Sequence, residues 1–335
     1  MIKLNTFALA VAALALVVGC SAPKEESASG EPKPSEAAPF KVALLTPGPV
    51  SDAGWSAMAY RGLKAIEADT GAQVNNQEAG GTQIKDAMRS YARQGYKLVF
   101  GHGFEYNEPA IEVAKDFPDT VFVSSSGGQT ADNVGAFRFY LEQGFYLAGV
   151  MAAKMSKSGV VGMVGGDDVP SIRSTFKAFR AGAIDTNPAI QVKEVFTNSG
   201  QDIAKAKQAT EKLIEEGADF VIHQANAAAQ GVFDACAEKN VYAFGANADQ
   251  NDNPSGRVIA SAVILAEPAF VALAKKVKEG GYKGGIELMG MDIGAIDFVV
   301  NPAMKTVIPP DVLTLVAEIQ AQIKDGRRTV PKDEF

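Results

Sequence analysis

From Lys41 onward, short apolar runs alternate with stretches of helical periodicity, and that alternation leaves the chain few architectures. The segments 41–47 (KVALLTP), 97–101, 120–124, 160–164, 192–196, 219–222 and 241–245 lack the polar alternation of a half-exposed strand. Each reads as a strand covered on both faces. Between them apolar residues recur at helical spacing, as at Met58, Leu63, Ala65 and Ile66, with Gly71 as the stop. Helices are expected over 57–70, 83–94, 110–116, 143–155, 172–185, 202–216, 230–238, 268–279 and 311–324. Strands alternating with helices of this kind mean βαβ units, hence an α/β fold with parallel sheets.

So many strands in 335 residues exceed one small sheet and point to two lobes. The break is expected after the helix ending near Met155, where Lys157-Ser-Gly159 opens a new strand. The turn-free run 257–264 is read as carrying the chain back. The first lobe is then 40–155 plus about 262–300, and the second 156–261 plus about 301–335. In open α/β sheets ligands sit beyond the carboxyl ends of the strands, so two facing lobes place the ligand in the cleft between them.

The N-terminus supplies an address. Lys3 precedes an unbroken apolar run, 7–18, too short to span a bilayer but suited to a signal peptide. It closes on Leu16-Val17-Val18-Gly19-Cys20, which resembles a bacterial lipobox. Residues 1–20 are therefore read as a lipoprotein signal peptide and Cys20 as the lipid-modified residue, tethering the protein to a membrane surface. Residues 21–39 repeat Pro, Ser, Glu and Lys and read as a disordered tether.

The remaining chemistry is sparse. A formal net charge of −7 argues against nucleic acid as a partner. With two cysteines and two histidines, neither a disulfide framework nor a Cys/His zinc site can be built, and His102 is a weak metal candidate with no second ligand at suitable spacing. No metal or cofactor is expected. The glycines of 162–166 fit neither phosphate-loop spacing, and Asp167-Asp168 beside them would repel phosphate. No nucleophile–base arrangement is evident, so the chain is read as a binding protein, a glycosidase using Asp52 and Glu105 being the enzymatic alternative.

The strand ends carry the candidates. After the first strand come Ser51, Asp52, Gly54 and Trp55, the one tryptophan, suited either to lidding the core or to stacking on a flat ligand. After 97–101 come His102, Gly103, Phe104, Glu105 and Tyr106: Phe104 or Tyr106 is placed to face Trp55, and Glu105 to accept ligand hydrogens. Ser124-Ser-Ser126-Gly-Gly128 offers hydroxyls and amides, with Ser126 as the candidate. In the second lobe, Asn226, Asn247 and Asp249 follow apolar strands and suit a neutral, hydrogen-bonding small molecule. Cys236 reads as a buried core residue.

Taken together, several segments resemble the basic membrane protein family, the substrate-binding lipoproteins of ABC importers that include purine nucleoside receptors. They are the lipobox, Ser51-Asp52-x-Gly54-Trp55, Glu142-Gln-Gly-Phe-Tyr146-Leu-Ala-Gly149, Val161-Gly-Met-Val-Gly-Gly166, Phe179-Arg-Ala-Gly182, Gly217-Ala-Asp219 and Gly245-Ala-Asn247-Ala-Asp249-Gln250. The resemblance implies two Rossmann-like lobes joined by crossovers, the type I periplasmic-binding-protein fold, and no catalysis. It implies a monomer on the periplasmic or cell-surface side, with a purine nucleoside or nucleobase as ligand and an ABC permease with its ATPase as partners. A membrane-tethered sensor is the alternative. Asp52 matches the family's base-binding acid, and Trp55 its loop aromatic. Asn198-Ser-Gly200 lacks the family's second-lobe stacking Phe. Asn247 replaces the Asp that grips ribose, which favours a free base because an amide is a weaker acceptor.

Overall fold

The computed structural model describes residues 38–51 and 55–334, so the expectations for Cys20, the signal peptide, the tether and Asp52 lie outside the described residues. Along the chain come β1 (Lys41–Thr46), α1 (Trp55–Thr70), β2 (Gln73–Glu78), α2 (Gln83–Arg93), β3 (Leu98–Gly101), α3 (Asn107–Ala114), β4 (Val121–Ser125) and β5 (Val134–Phe139). Next are α4 (Glu142–Met155), β6 (Val160–Gly165), α5 (Pro170–Thr186), β7 (Gln191–Phe196), α6 (Ile203–Glu215), β8 (Phe220–Gln224), α7 (Ala229–Lys239) and β9 (Tyr242–Asn247). The last five are β10 (Val258–Ile264), α8 (Ala266–Lys278), β11 (Ile286–Met289), β12 (Ile296–Val300) and α9 (Pro310–Lys324).

These elements build two six-stranded sheets with the same plan. One has the order β11-β5-β4-β3-β1-β2, the other β12-β10-β9-β8-β6-β7. All pairings are parallel except β10 with β12. The two-lobed α/β fold read from the sequence is thus the one observed. Apolar strands such as β1 and β10 are buried along nearly their whole length, as parallel strands covered by helices must be. The strand β2 (QVNNQE) is polar and mostly exposed because it is an edge, held to β1 by backbone pairing.

Sheet membership differs from the expected boundaries at α4, at β10 and at β12, the last expected in the first lobe but paired with β10 in the second sheet. Helix α4 packs chiefly on α5 and against β10 and β12, so it belongs with the second sheet and not with the first. The run containing β10 does not return to the first lobe but sits between β9 and β12. Helix α8 does return, packing on α1, and β11 completes the first sheet beside β5. The chain therefore crosses between lobes at residues 140–141, at Leu265 and across 290–295.

Helix α4 is buried on every side from Glu142 to Ala153. Its neighbour α5 approaches so closely that a Cβ on Gly149 would lie 2.1 Å from the Phe179 carbonyl oxygen, and one on Gly182 2.1 Å from that of Tyr146. Only glycine fits at this crossing, which is why both segments carry it. Residues such as Phe145, Leu147 and Met151 bury their side chains fully, each contributing roughly 1.5–3 kcal/mol.

A buried ion pair sits where β5 passes into α4. The Glu142 carboxylate accepts from the Arg138 guanidinium and from the Ser174 hydroxyl, the latter at 2.6 Å. Arg138 also donates to the Asp333 carbonyl at 2.7 Å, and the Asp333 amide donates to Ser174 Oγ at 2.9 Å. The Tyr140 hydroxyl donates to the Val330 carbonyl. The C-terminal segment thus stitches the crossing from both sides.

Candidate functional site

In the first lobe the aromatic partner of Trp55 is neither Phe104 nor Tyr106. Trp55 is the first residue of α1, half-buried, and its indole stacks on the imidazole of His102 with ring centres 4.0 Å apart and planes 22° from parallel. The Trp55 Nε1–H donates to the His102 carbonyl at 3.2 Å, and His102 Nε2 lies 3.0 Å from the Trp55 carbonyl. His102 Nδ1 is 2.9 Å from Ser125 Oγ. Phe104 is 72% exposed. Tyr106 is wholly buried in the core, its hydroxyl donating to the Ala79 carbonyl at 2.7 Å, so it backs the strand end and has no surface for a ligand.

Phe104, Glu105 and Tyr106 form a single 3-10 turn. Glu105 is half-buried, and burial pushes its carboxyl above the usual range. Its carboxylate folds back over Gly103, where a Cβ would lie 2.2 Å from Oε2. Gly103→Ala is therefore expected to swing this carboxylate out and, because a φ of 156° is one that a residue with a Cβ rarely adopts, to lower the melting temperature while weakening ligand binding several-fold, which titration calorimetry beside a melting curve would show.

Ser126 follows β4 with φ of 72°, its amide donating to the Phe137 carbonyl at 2.6 Å. The loop that follows is pinned by Asn107, whose Nδ2 donates to Ser124 Oγ and to the Gln129 carbonyl, both at 3.0 Å. Asn107 Oδ1 accepts from the Gln129 amide at 2.8 Å. Sequence reasoning missed Asn107 because an asparagine at a helix start carries no signal of what its amide reaches.

In the second lobe, Asn226 (φ 45°) and Asn247 (φ 68°) also hold left-handed backbone, uncommon for residues with a Cβ and enriched at binding sites. Asn226 is exposed and opens a 3-10 turn after β8. Asn247 Nδ2 donates to Gln224 Oε1 at 2.8 Å. Asp249 is exposed and accepts from the Asn251 amide at 3.0 Å.

Beneath this loop lies the other histidine. Gln250 Oε1 accepts from the Ala246 amide and from His223 Nε2, both at 2.9 Å, so the ring carries its proton on Nε2. Burial pushes the His223 pKa down to about 4. The unfolded chain, with an ordinary value near 6.5, takes up a proton between pH 6.5 and 4 that the folded chain does not. Stability therefore falls as pH drops through that window, by about 3 kcal/mol at its lower end. His223→Gln should flatten this part of the melting-temperature profile between pH 7 and pH 4, and an unchanged slope would refute the assignment.

The two histidines occupy counterpart strand ends. His102 directly follows β3 and His223 lies in β8, and each strand is followed by a 3-10 turn and a helix. The candidates Trp55, Glu105 and Ser126 thus gather at the carboxyl edge of one sheet, and Asn226, Asn247 and Asp249 at that of the other. A cavity of about 340 Å³ lies on the same edge of the first sheet, lined by Gly128, Arg138, Ile286, Leu288 and Glu334 and by none of the candidates. Among the described residues no cluster of three or more His, Cys, Asp or Glu is set to hold a metal ion. Cys236 is buried and its thiol pushed up to about 12, too high to act as a nucleophile. No helix among the described residues is long and apolar enough to cross a membrane.

Comparison with known proteins gives this geometry a context. Residues 40–325 match the Bmp family model, described as ABC transporter substrate-binding protein, PnrA-like. The chain is 32% identical over 291 residues to a purine-binding protein of Brucella abortus, covering 86% of this chain and 81% of that protein. It is 27% identical to the ABC transporter nucleoside-binding protein BmpA of Lactococcus lactis, covering 97% of each. Among solved structures, a solute-binding protein of an ABC transporter system from Conexibacter woesei superposes with a TM-score of 0.70 at 25% identity, covering 88% of this chain and 99% of that one. By name these relatives are purine-, nucleoside- and solute-binding proteins. The chain belongs to the Bmp family of PnrA-like ABC transporter substrate-binding proteins.

Proposed function

We propose that this chain is the extracytoplasmic receptor of an ABC importer, tethered through a lipidated Cys20, and that its lobes close on a purine base or purine nucleoside. The observation that carries the reading is the complementary pair of strand-end surfaces, an aromatic face with a desolvated carboxyl in one lobe and strained amide-bearing loops in the other. The purine- and nucleoside-binding names of its relatives support it. Trp55 stacks on the base while Asp52 and Glu105 take its hydrogens. Phe104, with most of its ring exposed, covers the ligand on closure, and Ser126 lines the same edge. Asn226, Asn247 and Asp249 address the other end. An amide at 247 in place of a carboxylate favours a free base over a nucleoside. Closure is a population shift drawn by contacts made only in the closed state, and it presents the loaded monomer to a permease and its ATPase.

Thermal unfolding against purine bases, nucleosides, sugars and amino acids tests the reading, after refolding has stripped carried-over ligand. At 100 times its Kd a ligand adds about 2.7 kcal/mol of stability, a visible shift. Bases alone should shift the curve. A shift with nucleosides alone would restore ribose recognition, and silence across all purines would overturn the ligand assignment.

A further inference from the structure

Trp55 and His102 clasp each other. Each side chain bonds the other's backbone carbonyl, at 3.2 and 3.0 Å, and the rings lie 4.0 Å apart. A carbonyl only accepts, so His102 Nε2 carries the proton and Nδ1 accepts from the hydroxyl of Ser125, itself 1% exposed. His102 is fully buried at the end of β3, Trp55 starts α1, Ser125 ends β4, and the Phe270 ring of α8 lies 6.2 Å from the imidazole. Four elements thus converge on one imidazole whose flat side is spent on one face of the indole.

We propose that His102 is a positioning residue for ligand binding. It occupies the inner face of Trp55 and fixes the plane of the ring, so that one aromatic face is left to receive one flat heterocycle. For the identity of that heterocycle alone, this rests on the purine reading above. An indole held only by its own side-chain torsions would have to be ordered at the moment of binding, and prior ordering improves affinity with no new contact to the ligand. The histidine acts through the tryptophan and touches no ligand itself. Its chemistry suits that role. It combines a planar ring to stack, a donor for the Trp55 carbonyl and an acceptor for Ser125, which no other side chain offers in one flat group.

Trp55 is the sole tryptophan, so fluorescence excited at the red edge, beyond the absorption of the tyrosines, reports on it alone. The full-length protein and His102→Leu are compared, ligand-free, by acrylamide quenching and emission anisotropy, and by calorimetric titration with adenine, guanine and hypoxanthine. The variant should raise the quenching constant at least twofold, lower the anisotropy, and weaken purine binding at least tenfold. Unaltered Trp55 emission, or a loosened Trp55 with unchanged affinity, overturns the proposal. A purely structural histidine would lower the melting temperature and leave the affinity of the folded variant intact. Should His102→Leu not fold, His102→Gln keeps a donor for the Trp55 carbonyl without the ring, and the same readouts decide. If the wild type binds no purine, the purine reading falls by itself. Loosening of Trp55 in the variant then still upholds His102 as the residue that fixes it, and an unloosened Trp55 overturns that.

Discussion

Arg138→Met is expected to destabilise the protein by about 3–5 kcal/mol, because it leaves the carboxylate of Glu142 buried without its cation. Glu142 is 1% exposed and would retain the Ser174 hydroxyl as its described donor, too little to offset a desolvated charge. The Asp333 carbonyl would lose the guanidinium as well, loosening the C-terminal segment from the crossing. The measurement is a urea melt of wild type, Arg138→Met and the double variant Arg138→Met/Glu142→Leu. The double variant should recover most of the loss, since replacing both members of a buried pair by apolar groups is often nearly neutral. A single variant within about 1 kcal/mol of wild type would mean that water reaches Glu142 and the pair is not buried in solution.

Trp55→Ala should weaken purine binding at least tenfold, each stacked base being worth about 1–3 kcal/mol. The substitution uncovers His102 and leaves an unfilled space at the start of α1, so some loss of stability accompanies it. Trp55→Phe separates the two effects. It keeps an aromatic face but not the Nε1–H bond to the His102 carbonyl, and should retain more affinity than the alanine variant. Calorimetric titration at a temperature where all three are folded reads the ranking, and equal affinities would remove stacking from the account.

Much of the fold is legible in the sequence because parallel strands and their helices write themselves in apolar runs. The expected helix 83–94 is observed as α2 and the expected 311–324 as α9, within a residue at each end. What escapes are elements whose neighbours supply the order. The edge strand β2 has the sequence of a loop and is a strand only because β1 pairs with it. The lobe assignment of α4 is hidden for a different reason. A helix apolar all round fits either lobe, and only the glycine crossing with α5 decides between them.

The site is less legible than the fold. Apolar strands ending near Ser126, Asn226 and Asn247 are readable in the sequence, and these polar residues lie at the carboxyl ends of the two sheets. The pairing of side chains is not readable. Phe104 and Tyr106 look equally able to face Trp55, yet the tight turn at Gly103 sends one ring to solvent and the other into the core. By its sequence neighbours His102 is no more than a weak metal ligand. Nothing beside it reveals that Trp55, 47 residues earlier, lies flat upon it.

The matched strand orders of the two sheets have a consequence for how such a receptor changes its diet. The two sheets share one strand order, and their equivalent ends are furnished differently: rings and an acid on one, amides and an acid on the other. Each half is anchored by its own histidine to its own sheet. Under the proposed function, exchanging the loop around Asn247 would alter the contacts at one end while the indole held by His102 stays as it was. In the proposed cleft, a substitution at one strand end would leave the hydrogen bonds that hold the other strand end in place.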